Sequence, residues 1–286
     1  MNRREFLLSS GAAAGAVMAG VTPGWAWNLK HSPESVYDNL ARALWASTNR
    51  QGQRAAYVIA APWCAVTRAF YDMVRQQSPD CDFRFVWQND RNEHQTKIMY
   101  STYFHEGNNQ LVAYENDVSQ ADGVTQGQLD LASGINEAMV SSIGTHIRPF
   151  LAGGGGSTSS FGWGYPTVIF KSHGVVKAVT GLPSDLNGLV ASIDGGIERP
   201  APTPGLLSVV REPLQLWKTT EGYRYAQQDN VVLYSAPMTD APIIEELERG
   251  RGYPAYTEAD YEGHRWLGLN AFGQPWPILW GKLEQF

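Results

Sequence analysis

The chain has 286 residues, a formal charge of -6, 43% hydrophobic side chains and 17% charged ones. That is enough apolar material for one sizeable core and a smaller one, and it excludes a disordered or fibrous chain. No run of Lys and Arg lines any predicted helix or strand, which argues against nucleic acid as a partner, and two cysteines are too few for a disulfide framework.

The amino terminus carries the pair Arg3-Arg4, then Glu5, Phe6 and Leu7. A weakly hydrophobic Gly/Ala-rich segment follows over residues 9–20, and Gly24-Trp25-Ala26 sets small residues at the minus-three and minus-one positions of a peptidase site. The stretch resembles a twin-arginine export signal. The resemblance implies cleavage after Ala26, so that residues 1–26 are a leader and the product is periplasmic. Read as an uncleaved anchor, the segment falls short of the roughly 20 apolar residues that a span needs.

Beyond the leader, Val36, Leu40, Ala43 and Leu44 share one helical face within residues 35–47, with Ser32-Pro33-Glu34 as a start signal. Residues 54–61 are a short apolar run suited to a buried strand, which exits at Pro62-Trp63-Cys64. Val66, Phe70, Met73 and Val74 then mark a helix through residue 77, and residues 83–87 give a second strand. Strand, helix and strand in that order predict a right-handed βαβ unit with Cys64 at its first corner.

Over residues 92–151 the pattern is mostly helical, and Leu129, Ala132, Ile135, Met139, Ile143 and Ile147 form a stripe on a helix that Pro149 should end. The Gly and Ser run at 153–160 reads as a linker. Residues 165–170 are then a strand, Ser172-His173-Gly174 a turn, 175–179 the return strand and 186–193 a closing helix.

Cys64 is the best candidate for chemistry. A thiol at a helix N-terminus meets unpaired N–H groups and the positive end of the macrodipole, which favour thiolate, the nucleophile of disulfide exchange. A lone cysteine is otherwise a small buried hydrophobe. Pro62-Trp63-Cys64 at a strand exit, with Tyr165-Pro166 later preceding Thr167-Val168-Ile169-Phe170 and Gly181 beyond the hairpin, resembles the thioredoxin-fold family over about residues 35–195.

That resemblance implies an α/β thioredoxin-like domain over 27–199 with a helical insertion at about 92–151, similar to bacterial periplasmic disulfide oxidases and isomerases. It makes Cys64 the nucleophile, Pro166 the cis-proline facing it, Trp63 and Tyr165 parts of the substrate platform, and Thr67 a neighbour whose hydroxyl reaches the sulfur. The family's second active-site cysteine is missing, for the chain reads Cys64-Ala65-Val66-Thr67. Cys81, roughly 20 Å away along the predicted helix, lies beyond the ~7 Å Cα limit for a bridge. What remains is monothiol exchange: a mixed disulfide with glutathione or a client protein, resolved by an outside thiol. No metal or resident cofactor is expected, and glutathione enters as a co-substrate.

Pro200, Pro202 and Pro204 open an expected linker over 200–227. Short strands follow at 231–234, 243–247, 253–257, 264–269 and 276–280. Leu233-Tyr234-Ser235-Ala236-Pro237 and Gly263-His264-Arg265-Trp266-Leu267-Gly268-Leu269 resemble a bacterial SH3-like barrel over 228–286. Such barrels bind cell-envelope peptides or protein segments, although a small β-domain without a ligand suits the same residues.

Other chemistries find no footing. His105-Glu106 lacks a second histidine four positions after the first, the glycines at 153–156 lack the Lys-Ser/Thr of a phosphate loop, and no Gly-x-Ser-x-Gly elbow occurs. Two functions stay open: an exported monothiol oxidoreductase, or a redox-inactive binding or assembly module of the cell envelope.

Overall fold

The computed structural model describes residues 33–88, 92–153, 164–196, 204–211, 215–219, 222–270 and 279–286. The leader assigned to 1–26 and most of the linker at 153–160 lie outside these residues. Among the described residues no helix is long and apolar enough to cross a membrane.

Helix α1 (Pro33–Arg42) has Glu34 in its first turn and Arg42 in its last, charges that complement the helix dipole. It ends before the expected residue 47 because strand β1 (Ala46–Ser47) pairs there with a later strand. Strands β2 (Arg54–Ala60) and β3 (Cys81–Trp87) flank helix α2 (Ala65–Gln77) and pair in parallel, from Arg54 opposite Cys81 to Ala60 opposite Trp87. Both are buried along nearly their whole length, as a parallel pair covered on two faces should be.

The interval expected to be a helical insertion holds α3 (Glu93–Phe104), α4 (Val112–Asn116) and α5 (Gln126–Gly153). Asn92 caps α3 by accepting the N–H groups of His94 and Gln95. Helix α5 runs through Pro149, the expected stop, to Gly153. A proline removes one N–H and crowds one carbonyl, and the rest of the ladder is free to continue.

Strands β4 (Thr167–Ser172) and β5 (Val175–Thr180) form a hairpin whose two turn residues, His173 and Gly174, have φ of 52° and 75°, the left-handed pair of a type I′ turn. The Asp194 carboxylate accepts both turn N–H groups, at 2.7 and 2.8 Å. The bonds from Gly174 and His173 hold its carboxyl below the usual range. Helix α6 (Leu186–Ser192) starts at Asp185, whose side chain accepts the Gly188 N–H.

These strands make a mixed five-stranded sheet ordered β1-β3-β2-β4-β5, with only β2 and β3 parallel. One face, through Val58, Ala60, Phe83, Phe85 and Trp87, packs in a single cluster with Phe70, Tyr71 and Val74 of α2. The other, through Tyr57, Ile59 and Val86, packs with Val36 and Leu40 of α1 and Met139 of α5. Asp82 and Arg84 alternate onto that second face and are buried as a pair: Arg84 Nε lies 2.9 Å from Asp82 Oδ2, Nη1 donates to the Tyr57 hydroxyl at 3.0 Å, and Ser47 Oγ donates to Asp82.

The segment 200–227, expected as a linker, holds helix α7 (Pro204–Arg211) and strands β6 (Gln215–Thr219) and β7 (Tyr223–Tyr225). With β8 (Val231–Tyr234), β9 (Ile243–Leu247), β10 (Gly252–Tyr261), β11 (His264–Leu269) and β12 (Leu279–Lys282) these strands form a curled, all-antiparallel sheet ordered β6-β10-β11-β12-β8-β9, with β7 beside the start of β10. At that start Gly252 faces Tyr225, and a Cβ on it would stand 1.8 Å from the Arg224 carbonyl oxygen, so only glycine fits. Val231, Leu233, Ile244, Leu267 and Leu279 of this sheet share one cluster with Val36, Tyr57 and Ile59. The two sheets therefore join through a common apolar core.

Candidate active site around Cys64

Strand β2 delivers the chain to Pro62-Trp63-Cys64 at the mouth of α2. Cys64 is the helix N-cap, with φ -83° and ψ 119°; its N–H donates to the Ala61 carbonyl and its own carbonyl accepts the Arg68 N–H, both at 3.1 Å. The thiol is half-buried and donates to the Tyr165 carbonyl at 3.4 Å. The Tyr165-Pro166 peptide is cis, and the Pro166 carbonyl accepts the Gly181 N–H at 2.8 Å. Trp63, 50% exposed, meets the Tyr165 ring edge-on with centroids 6.3 Å apart.

Trp63, Cys64, Tyr165 and Pro166 thus converge, because β2 and β4 are neighbours in register, Ile59 opposite Thr167. Thr67 sits differently. It is fully buried and its hydroxyl accepts the Ala61 N–H at 3.4 Å, while the sulfur's hydrogen bond goes to Tyr165 rather than to this hydroxyl. From the N-cap, the third residue of α2 turns toward the sheet instead of the solvent.

Cys81 begins β3, opposite Arg54 at the end of β2 remote from the Cys64 corner. Both cysteines are free. Burial pushes the Cys81 thiol up, so it stays protonated and unreactive. A cavity of about 240 Å³ lined by Thr48, Tyr71, Arg75, Ser78, Cys81 and Asn108 lies along the later turns of α2, apart from Cys64.

No protein-family model matches the chain, and no curated protein matches it.

Two residues beside Cys64 escaped the sequence reading. Arg68, one turn along α2, holds its guanidinium 4.0 Å over the ring of Tyr114 and donates to the Tyr114 carbonyl at 2.9 Å. Tyr114 comes from α4 and packs on Trp87 with centroids 4.7 Å apart. The spacing of Arg68 after Cys64 was a visible signal, whereas nothing in the sequence ties residue 114 to residue 64. Exposed apolar side chains stand on both segments: Trp63 and Val66 on either side of Cys64 in the chain, and Leu182 next to Gly181. Among the described residues no three His, Cys, Asp or Glu side chains gather to hold a metal ion. Cys64 offers one half-buried thiol at a helix N-terminus, and a thiol ionised there is a nucleophile of the kind that attacks disulfide sulfur.

Proposed function

We propose that the protein is an exported monothiol thioredoxin-like protein that carries out thiol-disulfide exchange in the bacterial periplasm through Cys64. The observation that carries this reading is the Cys64 sulfur at the start of α2, 3.4 Å from the carbonyl of the residue before Pro166. The parallel β2-β3 pair around α2, the β4-β5 hairpin antiparallel to β2, and α6 behind it support a thioredoxin-like fold. Its partners are protein or glutathione thiols, presented to Cys64 across Trp63, Tyr165 and Pro166. The antiparallel strands after residue 228 support an SH3-like module that holds a cell-envelope peptide or protein segment. Arg3-Arg4 supports twin-arginine export, and changing both to lysine should hold the precursor in the cytoplasm.

Trapping of mixed disulfides in periplasmic extracts tests the chemistry. Adducts should vanish in Cys64→Ser and persist in Cys81→Ser. The second reading, a redox-inactive envelope module, draws on Thr67 standing buried where a resolving cysteine would be. Absence of adducts from the unaltered protein would establish it over the first.

A further inference from the structure

We infer that Arg68 is a positioning residue for the Cys64 corner: its side chain ties the first turn of α2 to α4 and so keeps the thiol in place against Tyr165-Pro166, an inference that rests on the disulfide-exchange reading of Cys64. A helix start is ordinarily braced by the side chain of its N-cap residue, and Ser, Thr, Asp or Asn does this by accepting an N–H of the first turn. Here the N-cap is Cys64, and its side chain makes no such bond. The residue whose sulfur is to react thus leaves its own helix start without the usual brace.

The main-chain bonds of the corner are local. The Cys64 N–H donates to the Ala61 carbonyl, the Cys64 carbonyl accepts the Arg68 N–H, and the Thr67 hydroxyl accepts the Ala61 N–H. These bonds close the corner on itself. The Arg68 side chain reaches out of it: Nη2 donates to the Tyr114 carbonyl at 2.9 Å and the guanidinium lies 4.0 Å over the Tyr114 ring, so one planar group makes a charge-assisted hydrogen bond and a cation–π contact with the same residue. Tyr114 is a firm anchor, 2% exposed and packed on Trp87 of β3 and Tyr71 of α2 with centroids 4.7 and 5.7 Å apart. Trp87 stands opposite Ala60, the last residue of β2 before the cysteine corner.

The opposite wall of the site is fixed independently. Tyr165 precedes β4, whose Thr167 pairs with Ile59 of β2, and the Tyr165 carbonyl accepts the thiol at 3.4 Å. Sulfur and platform therefore stand on separate supports, and Arg68 secures the one that lacks a cap. In exchange, the Cys64 thiolate attacks one sulfur of a disulfide laid across that platform. The new bond to Cys64 forms as the old sulfur-sulfur bond breaks, and the electron pair leaves on the second sulfur, which takes a proton from solvent. The three sulfurs must come into line, so a loose corner slows this step. Iodoacetamide, small and free to approach from solvent, makes no demand on the platform.

A second arginine of α2 is also tied to α4 and supplies the control: Arg75, further along the helix, meets Glu115 at 2.8 Å. The test measures, on the purified protein, the rate of adduct formation with oxidised glutathione by intact mass and the rate of Cys64 alkylation by iodoacetamide. Arg68→Met should slow adduct formation about ten-fold and leave alkylation within about two-fold, since misplacing a reacting atom by an ångström costs an oriented reaction up to about a hundred-fold. Arg68→Gln, which keeps an N–H donor but loses the charge, should behave alike, so the comparison stands should the Met variant fail to fold. Arg75→Met should match the unaltered protein in both rates. An unchanged adduct rate in the Arg68 variants, an equal fall in adduct formation and alkylation, or the same loss in Arg75→Met overturns the inference and leaves the proposed function standing. No adduct from the unaltered protein overturns both.

Discussion

The side-chain amide of Asn39 pairs with the main chain of Ile243 as another peptide group would: Nδ2 donates to the Ile243 carbonyl at 3.0 Å and Oδ1 accepts the Ile243 N–H at 3.2 Å. Ile243 begins β9, the last strand in the order of its sheet, and an edge strand needs partners for its outward groups. Helix α1 supplies them. Asn39→Leu removes both bonds and should destabilise the fold by about 1–3 kcal/mol, read as a lower urea midpoint at unchanged slope. A midpoint equal to that of the unaltered protein would refute the role.

The two thiols should separate cleanly in the folded protein. Iodoacetamide should modify Cys64 alone, with Cys81 reacting only after denaturation, because Cys81 is fully buried and its thiol is pushed up. Intact mass with and without denaturant checks this; a doubly alkylated native species would contradict the burial of β3.

Thr67→Cys should place a second thiol one turn from Cys64 and, under mild oxidation, remove both from the free-thiol count while Cys81 stays free. The variant also loses the hydroxyl that holds the Ala61 N–H. A variant that folds and keeps both corner thiols free would show that the corner geometry differs from the one described.

Arg84 is 2% exposed and meets Asp82, Tyr57 and the Trp45 ring. Arg84→Met should cost about 3–5 kcal/mol, since it strands the Asp82 charge in the core. Pairing it with Asp82→Asn should recover part of the loss. Equal stability of the two variants in urea would mean that the stranded charge is not the cause.

Glu245 is fully buried, and burial raises its carboxyl above the ordinary 4.5 although the Tyr253 hydroxyl and the Arg251 charge pull it down. The folded protein therefore binds this proton more tightly than the unfolded chain does. Its contribution to stability is present below about pH 4.5 and is lost as pH rises through the raised folded value. Glu245→Gln should flatten the pH dependence of stability across that window. A variant whose urea midpoints fall with pH as steeply as those of the unaltered protein would exclude Glu245 as the source.

The β2-α2-β3 unit was legible because its signals are local: an apolar run, a Pro-Trp-Cys exit, then a change of period from strand to helix. The corner of Cys64 came with it, whereas Tyr165-Pro166 was set opposite Cys64 only by the resemblance that these motifs carry. Strand β6 was not legible, since Gln215-Leu216-Trp217-Lys218-Thr219 follows a proline-rich stretch and becomes a strand only by pairing with β10. Strand β1 has two residues, too few for any period. The partner of Thr67 and the contact of Tyr114 with Arg68 depend on which way a helix turns against a sheet and on an encounter between distant segments, and neither leaves a trace in spacing.

Tyr223 and Tyr225 stand about half exposed on β7, with rings 22° from parallel, and β7 lies where it does because residue 252 has no side chain. In a saturation scan scored by binding at that aromatic surface, Gly252 would register as intolerant to every substitution while contributing no atom to the contact. Its signature would be a uniform loss, indifferent to the polarity or charge of the replacement, in contrast to the graded chemical preferences expected at the tyrosines.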